Sequence, residues 1–156
     1  MLEIRRYRGA DNSTIINLRH LALHSIGILL HGDKWDEDLY DIENRYIKNG
    51  GEFLVGVLDN KIVCMGALRN KTETIVEIKR MRVLPDYQRR GFGQTMLNFL
   101  ETKAIELGYK ELSLDTTTLQ IPAQKLYKKN GYIEVGRENI PEFELIFYRK
   151  KLKGVQ

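Results

Sequence analysis

The sequence predicts an α/β fold in which helices cover a mixed β-sheet. Strand patterns lie near both ends of the chain, and amphipathic helical patterns interrupt the middle. The chain has 156 residues, of which 42% are hydrophobic and 29% charged, as expected for one globular domain over residues 1–156. No repeat, low-complexity tract or Pro/Gly/Ser-rich linker divides it.

The N-terminal region predicts one strand and two helices. Residues 3–8 have the pattern of a short strand, after which Asp11 and Ser13 are candidates to cap a helix. That helix carries apolar side chains at roughly helical spacing, namely Ile15, Ile16, Leu18, Leu21 and Leu23. A second short helix is expected from about Asp36 to Ile47.

The middle of the chain predicts three strands. "FLVGVLDNKIVCMGALR" has two apolar runs around Asp59-Asn60, and both of these residues tolerate the positive φ that a tight hairpin turn requires. "TIVEIKRMRVL" alternates in its first half and predicts a further strand, which Pro85 ends.

The C-terminal half predicts two helices and three strands. Residues 91–107 form an amphipathic helical pattern that Gly108 is well placed to end. "YKELSLDT" predicts a strand, and "PAQKLYKKNG" a short helix with Gly131 past its end. "YIEVGR" and "FELIFYRKKL" supply the last two strands. The apolar face of the longer helix is expected to comprise Phe92, Met96, Phe99, Leu100, Ala104 and Leu107.

Composition narrows the classes of function. The net charge of +4 is mildly basic and fits nucleic acid, an acidic membrane or a phosphorylated small molecule. Cys64 is the only cysteine, so an internal disulfide and a multi-cysteine metal site are excluded. No apolar run approaches the length of a membrane span, and the N-terminus lacks a signal-peptide core, so a cytoplasmic location without membrane contact is expected.

The three histidines do not predict a metal site. His20, His24 and His31 lie in the N-terminal helical region, where His20 and His24 are four residues apart and able to share a helix face. No HExxH pattern or third ligand accompanies them, so satisfied or solvated imidazoles are expected and no metal is predicted.

The stretch "LPDYQRRGFGQTM", residues 84–96, predicts an anion site. Gly91 and Gly93 let a ligand approach the main chain, and the helix that begins there has unpaired N–H groups in its first turn. A Walker loop would need Gly-Lys-Ser/Thr, whereas Gly93 is followed by Gln94 and Thr95. A dinucleotide fingerprint would need a third glycine, where Met96 stands.

A third pattern, Gln/Arg-x-x-Gly-x-Gly/Ala, is matched by Gln88, Gly91 and Gly93. Here the sequence resembles the GNAT superfamily of acetyl-CoA-dependent N-acetyltransferases. Upstream, "VEIKRMRVLPDYQRRGFG" is similar to the family's fourth strand running into its pyrophosphate loop. Downstream, the family's Ala-x-x-Leu-Tyr-x-x-x-Gly-Tyr/Phe run is matched in register by Ala123, Leu126, Tyr127, Gly131 and Tyr132. The resemblance covers residues 51–137.

The resemblance implies a mostly antiparallel sheet whose fourth and fifth strands splay apart around acetyl-CoA or CoA. The backbone of Met81 and Val83 would pair with the pantetheine amides like an added strand. Gln120 stands where the family often has an asparagine that hydrogen-bonds the coenzyme. The resemblance therefore implies a contact through the amide of Gln120, which is on a longer side chain. The residues implied to bind the coenzyme are Met81, Arg82, Val83, Gln88, Arg89, Arg90, Gly91, Phe92, Gly93, Gln94, Gln120, Ala123 and Tyr127.

The same resemblance implies two catalytic residues for acetyl transfer to a primary amine. Glu77 stands at the position of a common general base, although it also fits a surface carboxylate facing Lys79 or Arg80. Tyr127 stands at the position of the usual general acid, although it also fits an amphipathic core tyrosine. Cys64 lies in an apolar run typical of an inert buried thiol, so direct attack by the amine in a ternary complex is expected.

The sequence leaves the acceptor open. The segment "HGDKWDEDLYDIENRY" is rich in acidic residues, and with Trp35 and Tyr40 it either forms a lip that attracts a cationic amine or is a helix start facing water. A small molecule and a peptide both fit as acceptors, and the strand near the C-terminus is a candidate for homodimer pairing. The rival functions are a coenzyme A sensor without catalysis and, from "RRYR", "KLYKK" and "YRKKLK", a nucleic-acid-binding domain.

Overall fold

The computed structural model describes residues 1–27 and 36–153. The described residues form seven strands: β1 (Glu3–Arg6), β2 (Glu52–Leu58), β3 (Lys61–Asn70), β4 (Ile75–Val83), β5 (Glu111–Thr117), β6 (Ile133–Asn139) and β7 (Glu144–Lys151). They also form three α-helices: α1 (Asn12–His24), α2 (Phe92–Glu106) and α3 (Ile121–Lys129). The predicted hairpin turn is confirmed, with φ of 49° at Asp59 and 63° at Asn60.

The strands make one sheet in the order β1-β2-β3-β4-β5-β7-β6. Every neighbouring pair is antiparallel except β4 and β5, which are parallel and joined through α2. The parallel pair is matched over three positions only, from Ile75 opposite Glu111 to Glu77 opposite Ser113. Beyond those positions the two strands separate, which confirms the predicted mixed, mostly antiparallel sheet with its fourth and fifth strands splayed.

Helices cover both faces of the sheet, as their apolar patterns require. On the face that we call the α1 face, Ile15 and Leu18 pack with Phe53, Met65 and Ala67. On the other side, the α2 face, the packed side chains come from α2, α3 and the strands, and include Met96, Leu97, Leu100, Tyr127, Leu68, Val76 and Leu114. The splayed strands therefore leave a gap that runs between two well-packed layers.

A β-bulge in β4 sets which side chains reach each face. The β3–β4 register passes from Met65 opposite Arg82 to Ala67 opposite Lys79, so Gly66 alone faces Arg80 and Met81. Arg80 has φ of 59°, which is uncommon outside glycine. Because of this extra residue, Lys79 and Arg82 both lie on the α1 face, where Met65 and Ala67 are packed.

Two expectations about the helices are corrected by the structure, the first entirely and the second in part. Residues 36–47 do not form one helix but a 3₁₀ turn (Glu37–Tyr40) and a π-helical turn (Glu43–Ile47), because Asp41 adopts φ of −147° and ψ of 46° between them. The predicted face of α2 is confirmed at Met96, Leu100 and Ala104, which are fully buried. It is wrong at Phe99 and at Leu107 just past the helix, which are exposed, and it omits the fully buried Leu97.

Candidate active site between β4 and β5

The gap between β4 and β5 contains a cavity of about 350 Å³. It is lined by the second half of β4, the end of β5, the start of α3 and the approach to β7. Five of the predicted site residues meet there: Met81, Arg82, Gln120, Ala123 and Tyr127. The structure thus brings together residues that are up to 46 positions apart in the sequence.

Tyr127 is a neutral phenol at the wall of this cavity. It is 4% exposed, and its ring packs edge-on against Tyr132 with centroids 5.5 Å apart. Burial raises the pKa of Tyr127 to about 12; the nearby charge of Arg82 opposes that shift and the charge of Asp115 adds to it. The hydroxyl makes no hydrogen bond to any described residue, so its proton is available to a ligand in the cavity.

The glycine-rich loop presents a row of backbone donors at the start of α2. Gly91 caps the helix with φ of 80°, and Arg89 also has a positive φ of 63°. The first helical bond runs from Thr95 N to Gly91 O at 3.0 Å, and residues 89–94 donate to no other backbone carbonyl in the described structure. These N–H groups and the helix dipole together suit a phosphate.

Gly93 is required by neither conformation nor packing within the protein. Its φ is not positive, and an added Cβ would lie 3.6 Å from Leu126 Cδ2, an ordinary van der Waals distance. Glycine in a helix costs about 1 kcal/mol relative to alanine. Its presence in the first turn therefore fits close approach of a ligand to the main chain.

The free edge of β4 is occupied by the protein's own side chains. Arg82 Nη1 donates to Met81 O at 2.7 Å, and Gln88 Nε2 donates to Val83 O at 3.1 Å. Carbonyl groups two residues apart in a strand point the same way. Met81 and Val83, the two residues expected to pair with pantetheine, therefore present carbonyls that already accept hydrogen bonds.

Gln120 precedes α3 and is anchored to the end of β5. Its Oε1 accepts from Thr117 N and from Thr116 Oγ1, both at 3.2 Å. Gln120 lines the cavity. Arg90 lies over the Tyr87 ring, 5.0 Å from its centroid, at the outer side of the glycine loop.

Glu77 does not lie in the cavity that contains Tyr127. It lies at the closed end of the β4–β5 pair and lines a separate cavity of about 240 Å³ with Ser113 and Arg149. Two carboxylates do share the cavity with Tyr127: Asp38, which is bound to Arg80, and Asp115 on β5. Sequence reasoning missed Asp115 because its strand, "ELSLDTT", gives no sign of where the two strands separate.

The acidic segment after α1 forms buried ion pairs. Asp36 is 2% exposed and lies 3.0 Å from Arg19 Nε and 3.0 Å from His20 Nε2. Asp38 binds Arg80 and the Tyr46 hydroxyl. Burial opposes ionisation of Asp38, but the hydrogen bonds and charge of Arg80 outweigh it, so its pKa is lowered.

Asp36 and Asp38 are thus buried in ion pairs and do not face water, which corrects the second interpretation at these two residues. Glu37 is largely exposed and pairs with Arg45 at 2.7 Å. Tyr40 is 63% exposed. Asp33, Lys34 and Trp35, like His31, lie outside the described residues.

Cys64 is fully buried, and burial raises the pKa of its thiol to about 12. It therefore remains a thiol at neutral pH and is unsuited to carry an acyl group. Within residues 1–27 and 36–153, no cluster of three or more His, Cys, Asp or Glu side chains is arranged to hold a metal ion. The helices of this same part of the chain include none with the length and apolar character needed to cross a bilayer.

Comparison with known proteins identifies the family of this arrangement. Residues 19–132 match the family model described as the acetyltransferase (GNAT) family. A curated relative, the N-acetylaspartate synthetase of Xenopus tropicalis, is 36% identical over 101 residues, which are 64% of this chain and 37% of the relative. The chain spans about a third of the length of the N-acetylaspartate synthetases that it matches.

Solved structures share the fold over nearly the whole chain. An acetyltransferase of the GNAT family from Staphylococcus aureus has a TM-score of 0.89 and 24% identity, with 98% of this chain and 100% of that chain covered. The PaiA N-acetyltransferase from Thermoplasma acidophilum, in complex with coenzyme A, has a TM-score of 0.79 and 18% identity, with 97% and 99% covered.

Proposed function

Because the chain belongs to the GNAT acetyltransferase family, we propose that it moves the acetyl group of acetyl-CoA to a primary amine of a small molecule or peptide. Residues 1–156 act as one N-acetyltransferase domain. One observation carries the proposal: the β4–β5 gap contains a cavity walled by Tyr127, and the helix that follows β4 begins with a row of backbone donors that have no backbone partner in the described structure.

The described residues fit coenzyme A. The backbone N–H groups of residues 89–94 hold the pyrophosphate, and Gly93 leaves room for it. The pantetheine arm lies along the free edge of β4, where Arg82 and Gln88 give up or share their bonds to the Met81 and Val83 carbonyls. The PaiA N-acetyltransferase from Thermoplasma acidophilum, which shares the fold, is in complex with coenzyme A, and this supports coenzyme A as the ligand.

The bound cosubstrate supplies an acetyl thioester. The acceptor nitrogen bonds to the acetyl carbon while the C–S bond breaks, so the nitrogen loses a proton and the departing thiolate gains one. Tyr127 donates a hydrogen bond or proton to the sulfur, because its raised pKa of about 12 keeps it protonated at neutral pH. Cys64 is buried as a neutral thiol, which favours direct attack over an acyl-cysteine route.

The proton from the amine needs an acceptor, because a lysine-like amine has a pKa of about 10.4 and is mostly protonated at neutral pH. The family resemblance points to Glu77, whereas the cavity contains Asp115. We favour Asp115 as the proton acceptor, directly or through water, since it lies in the same cavity as Tyr127. Glu77 would have to act from the adjoining cavity.

The rival functions have less support. The basic stretches that prompt the nucleic-acid hypothesis lie on different elements, and four of their ten basic side chains form ion pairs: Arg5 with Asp11, Arg6 with Glu52, Arg149 with Glu111, and Lys150 with Glu101. A coenzyme A sensor without catalysis would need neither a neutral phenol nor a carboxylate in the cavity.

Two measurements test the proposal. Titration calorimetry with CoA should detect binding, and mass spectrometry of an amine library incubated with acetyl-CoA should detect products that are 42 mass units heavier, roughly one acetyl group for one proton. Binding without any acetylated product would favour the sensor. Absence of CoA binding by folded protein would overturn the proposal entirely.

A further inference from the structure

We propose that the acceptor carries a carboxylate as well as its amine, and that Arg69, Lys79 and Arg82 bind this carboxylate on the α1 face of the cavity. The inference rests on the proposed function and specifies its substrate class. It replaces a cationic acceptor such as a polyamine with an amino acid or another amine that carries a carboxyl group.

The charge of the cavity wall is the first observation. Five cationic side chains line it, Arg19, Arg69, Lys79, Arg80 and Arg82, against the two carboxylates Asp38 and Asp115. Asp38 is bound by Arg80, and Arg19 is bound by Asp36 from behind the wall. Three cations therefore remain for one carboxylate, which leaves an excess positive charge of two in a partly enclosed space.

Arg69, Lys79 and Arg82 are not neutralised by other described residues. No carboxylate oxygen of a described residue lies within 4.0 Å of a charged side-chain nitrogen of any of the three. Glu77 stands opposite Arg69 in the β3–β4 register, yet the two side chains do not form an ion pair at that distance. If these side chains were only solvated by water, nothing would require all three to line one cavity.

Of the three cations, Arg82 gives the strongest structural support for a bound carboxylate. Its Nε is buried and makes no hydrogen bond among the described residues, and Nη1 reaches only the adjacent Met81 carbonyl. A guanidinium with an unused buried donor has a deficit that a carboxylate satisfies, since the two groups match in a two-point hydrogen-bonded pair. Arg82 also lies within electrostatic reach of Tyr127 and Asp115, so a group bound to it is close to the reacting atoms.

The sidedness of the sheet separates this site from the coenzyme's phosphates. Met65, Ala67 and Arg69 alternate onto the α1 face, and their register partners Arg82 and Lys79 share that face. The glycine-rich loop begins α2, which packs on the opposite face. The coenzyme's pyrophosphate therefore belongs to one side of the gap and the proposed carboxylate to the other.

The arrangement also orients the acceptor. Asp115 is the remaining carboxylate of the cavity and suits the amine, while the three cations suit the carboxyl group. A polyamine would bring several positive charges against the same cations, which disfavours it. A small amine with one or two carboxylates complements both parts of the wall.

Matched acceptor pairs test the inference. Each amino acid of a panel is compared with its carboxamide and with its decarboxylated amine, using acetyl-CoA and measuring kcat/KM. The carboxylate-bearing member should be preferred by about tenfold or more, the value of one or two charged hydrogen bonds. Calorimetry on the CoA-loaded protein, with the same compounds, measures carboxylate binding independently of turnover.

Variants assign the preference to residues. Arg69→Gln and Lys79→Gln should raise KM for the carboxylate-bearing member, leave kcat and the affinity for CoA close to wild type, and so shrink the preference. Lys110→Gln, an exposed lysine outside the cavity, is the matched control and should leave the preference intact.

The outcomes separate the two proposals. Acetylation that favours the amides or the decarboxylated amines, or a preference that survives both variants, overturns the carboxylate site while the acetyltransferase proposal stands. Carboxylate binding without acetyl transfer to any member overturns the catalytic proposal and leaves the anion site supported. Neither transfer nor binding overturns both.

Discussion

At the scale of single residues, burial decides what each candidate is able to do. Tyr127 and Cys64 both have a pKa near 12 because both are buried, yet their roles differ. Tyr127 lines the cavity, where a retained proton is useful for a departing thiolate. Cys64 lies in the packed core of the α2 face, where a retained proton makes it inert.

Tyr127→Phe should lower kcat by about a hundredfold or more, because the general acid is lost while the ring remains. The Kd for acetyl-CoA should change little, since the hydroxyl is not needed for packing. Steady-state kinetics and calorimetry measure the two quantities. Because its pKa is raised to about 12, Tyr127 stays protonated between pH 8 and 10. Ionisation of Tyr127 should therefore cause no loss of kcat in this pH range. Turnover equal to that of wild type would remove Tyr127 as the acid.

Asp115→Asn and Glu77→Gln distinguish the two candidate bases. Asp115→Asn should lower kcat/KM by about a hundredfold near neutral pH. Its kcat/KM should also rise more steeply with pH below the pKa of the amine, because only acceptor that is already deprotonated in solution can then react. Glu77→Gln should cost much less, because Glu77 lies at the closed end of the strand pair. Rate profiles between pH 6 and 9 on both variants decide the matter. The reverse ranking would assign the base to Glu77, as the family resemblance implies.

At the scale of elements, the first turn of α2 separates conformational from functional glycines. Gly93→Ala should raise the Kd for CoA by about tenfold while unfolding at unchanged or slightly higher denaturant concentration, since glycine costs a helix about 1 kcal/mol. Gly108→Ala is the control. Because Gly108 has φ of 90°, this variant should lose about 1 kcal/mol of stability while its affinity for CoA stays unchanged. Calorimetry and urea titration test both. Unchanged CoA affinity in Gly93→Ala would place the pyrophosphate elsewhere.

Elements with local signals were predictable from sequence. The turn at Asp59-Asn60, the left-handed Gly108 and the glycine loop each depend on residues within a few positions of one another. The location of Glu77 was not predictable, because it depends on how far β4 and β5 remain paired. That distance is a property of two strands separated by α2, and no short pattern encodes it.

At the scale of the whole molecule, the cavity is assembled by contacts that no local pattern reveals. Asp38 and Arg80 are 42 residues apart, and an acidic run such as the one around Asp38 is typical of a solvated surface. The bulge at Arg80 turns its side chain to Asp38 and also shifts Arg82 onto the α1 face. One inserted residue in β4 thus shapes both the buried ion pair and the proposed carboxylate site.

The Asp38–Arg80 pair fastens the segment before β2 to the splayed strand, so its loss should destabilise the fold. Asp38→Asn removes the carboxylate that binds Arg80 in a buried site and should cost about 3–5 kcal/mol of unfolding free energy at pH 7. The pKa of Asp38 is lowered from 3.8 in the folded state, so its contribution is fully present above pH 4 and is lost as the pH falls through the lower folded value. The difference in unfolding free energy between wild type and Asp38→Asn, measured by urea titration, should therefore become smaller below pH 4. Glu37→Gln, which loses only an exposed partner of Arg45, should show neither effect. If this difference in unfolding free energy is small at pH 7, or is unchanged at pH 2, the Asp38–Arg80 pair does not hold this side of the cavity in place.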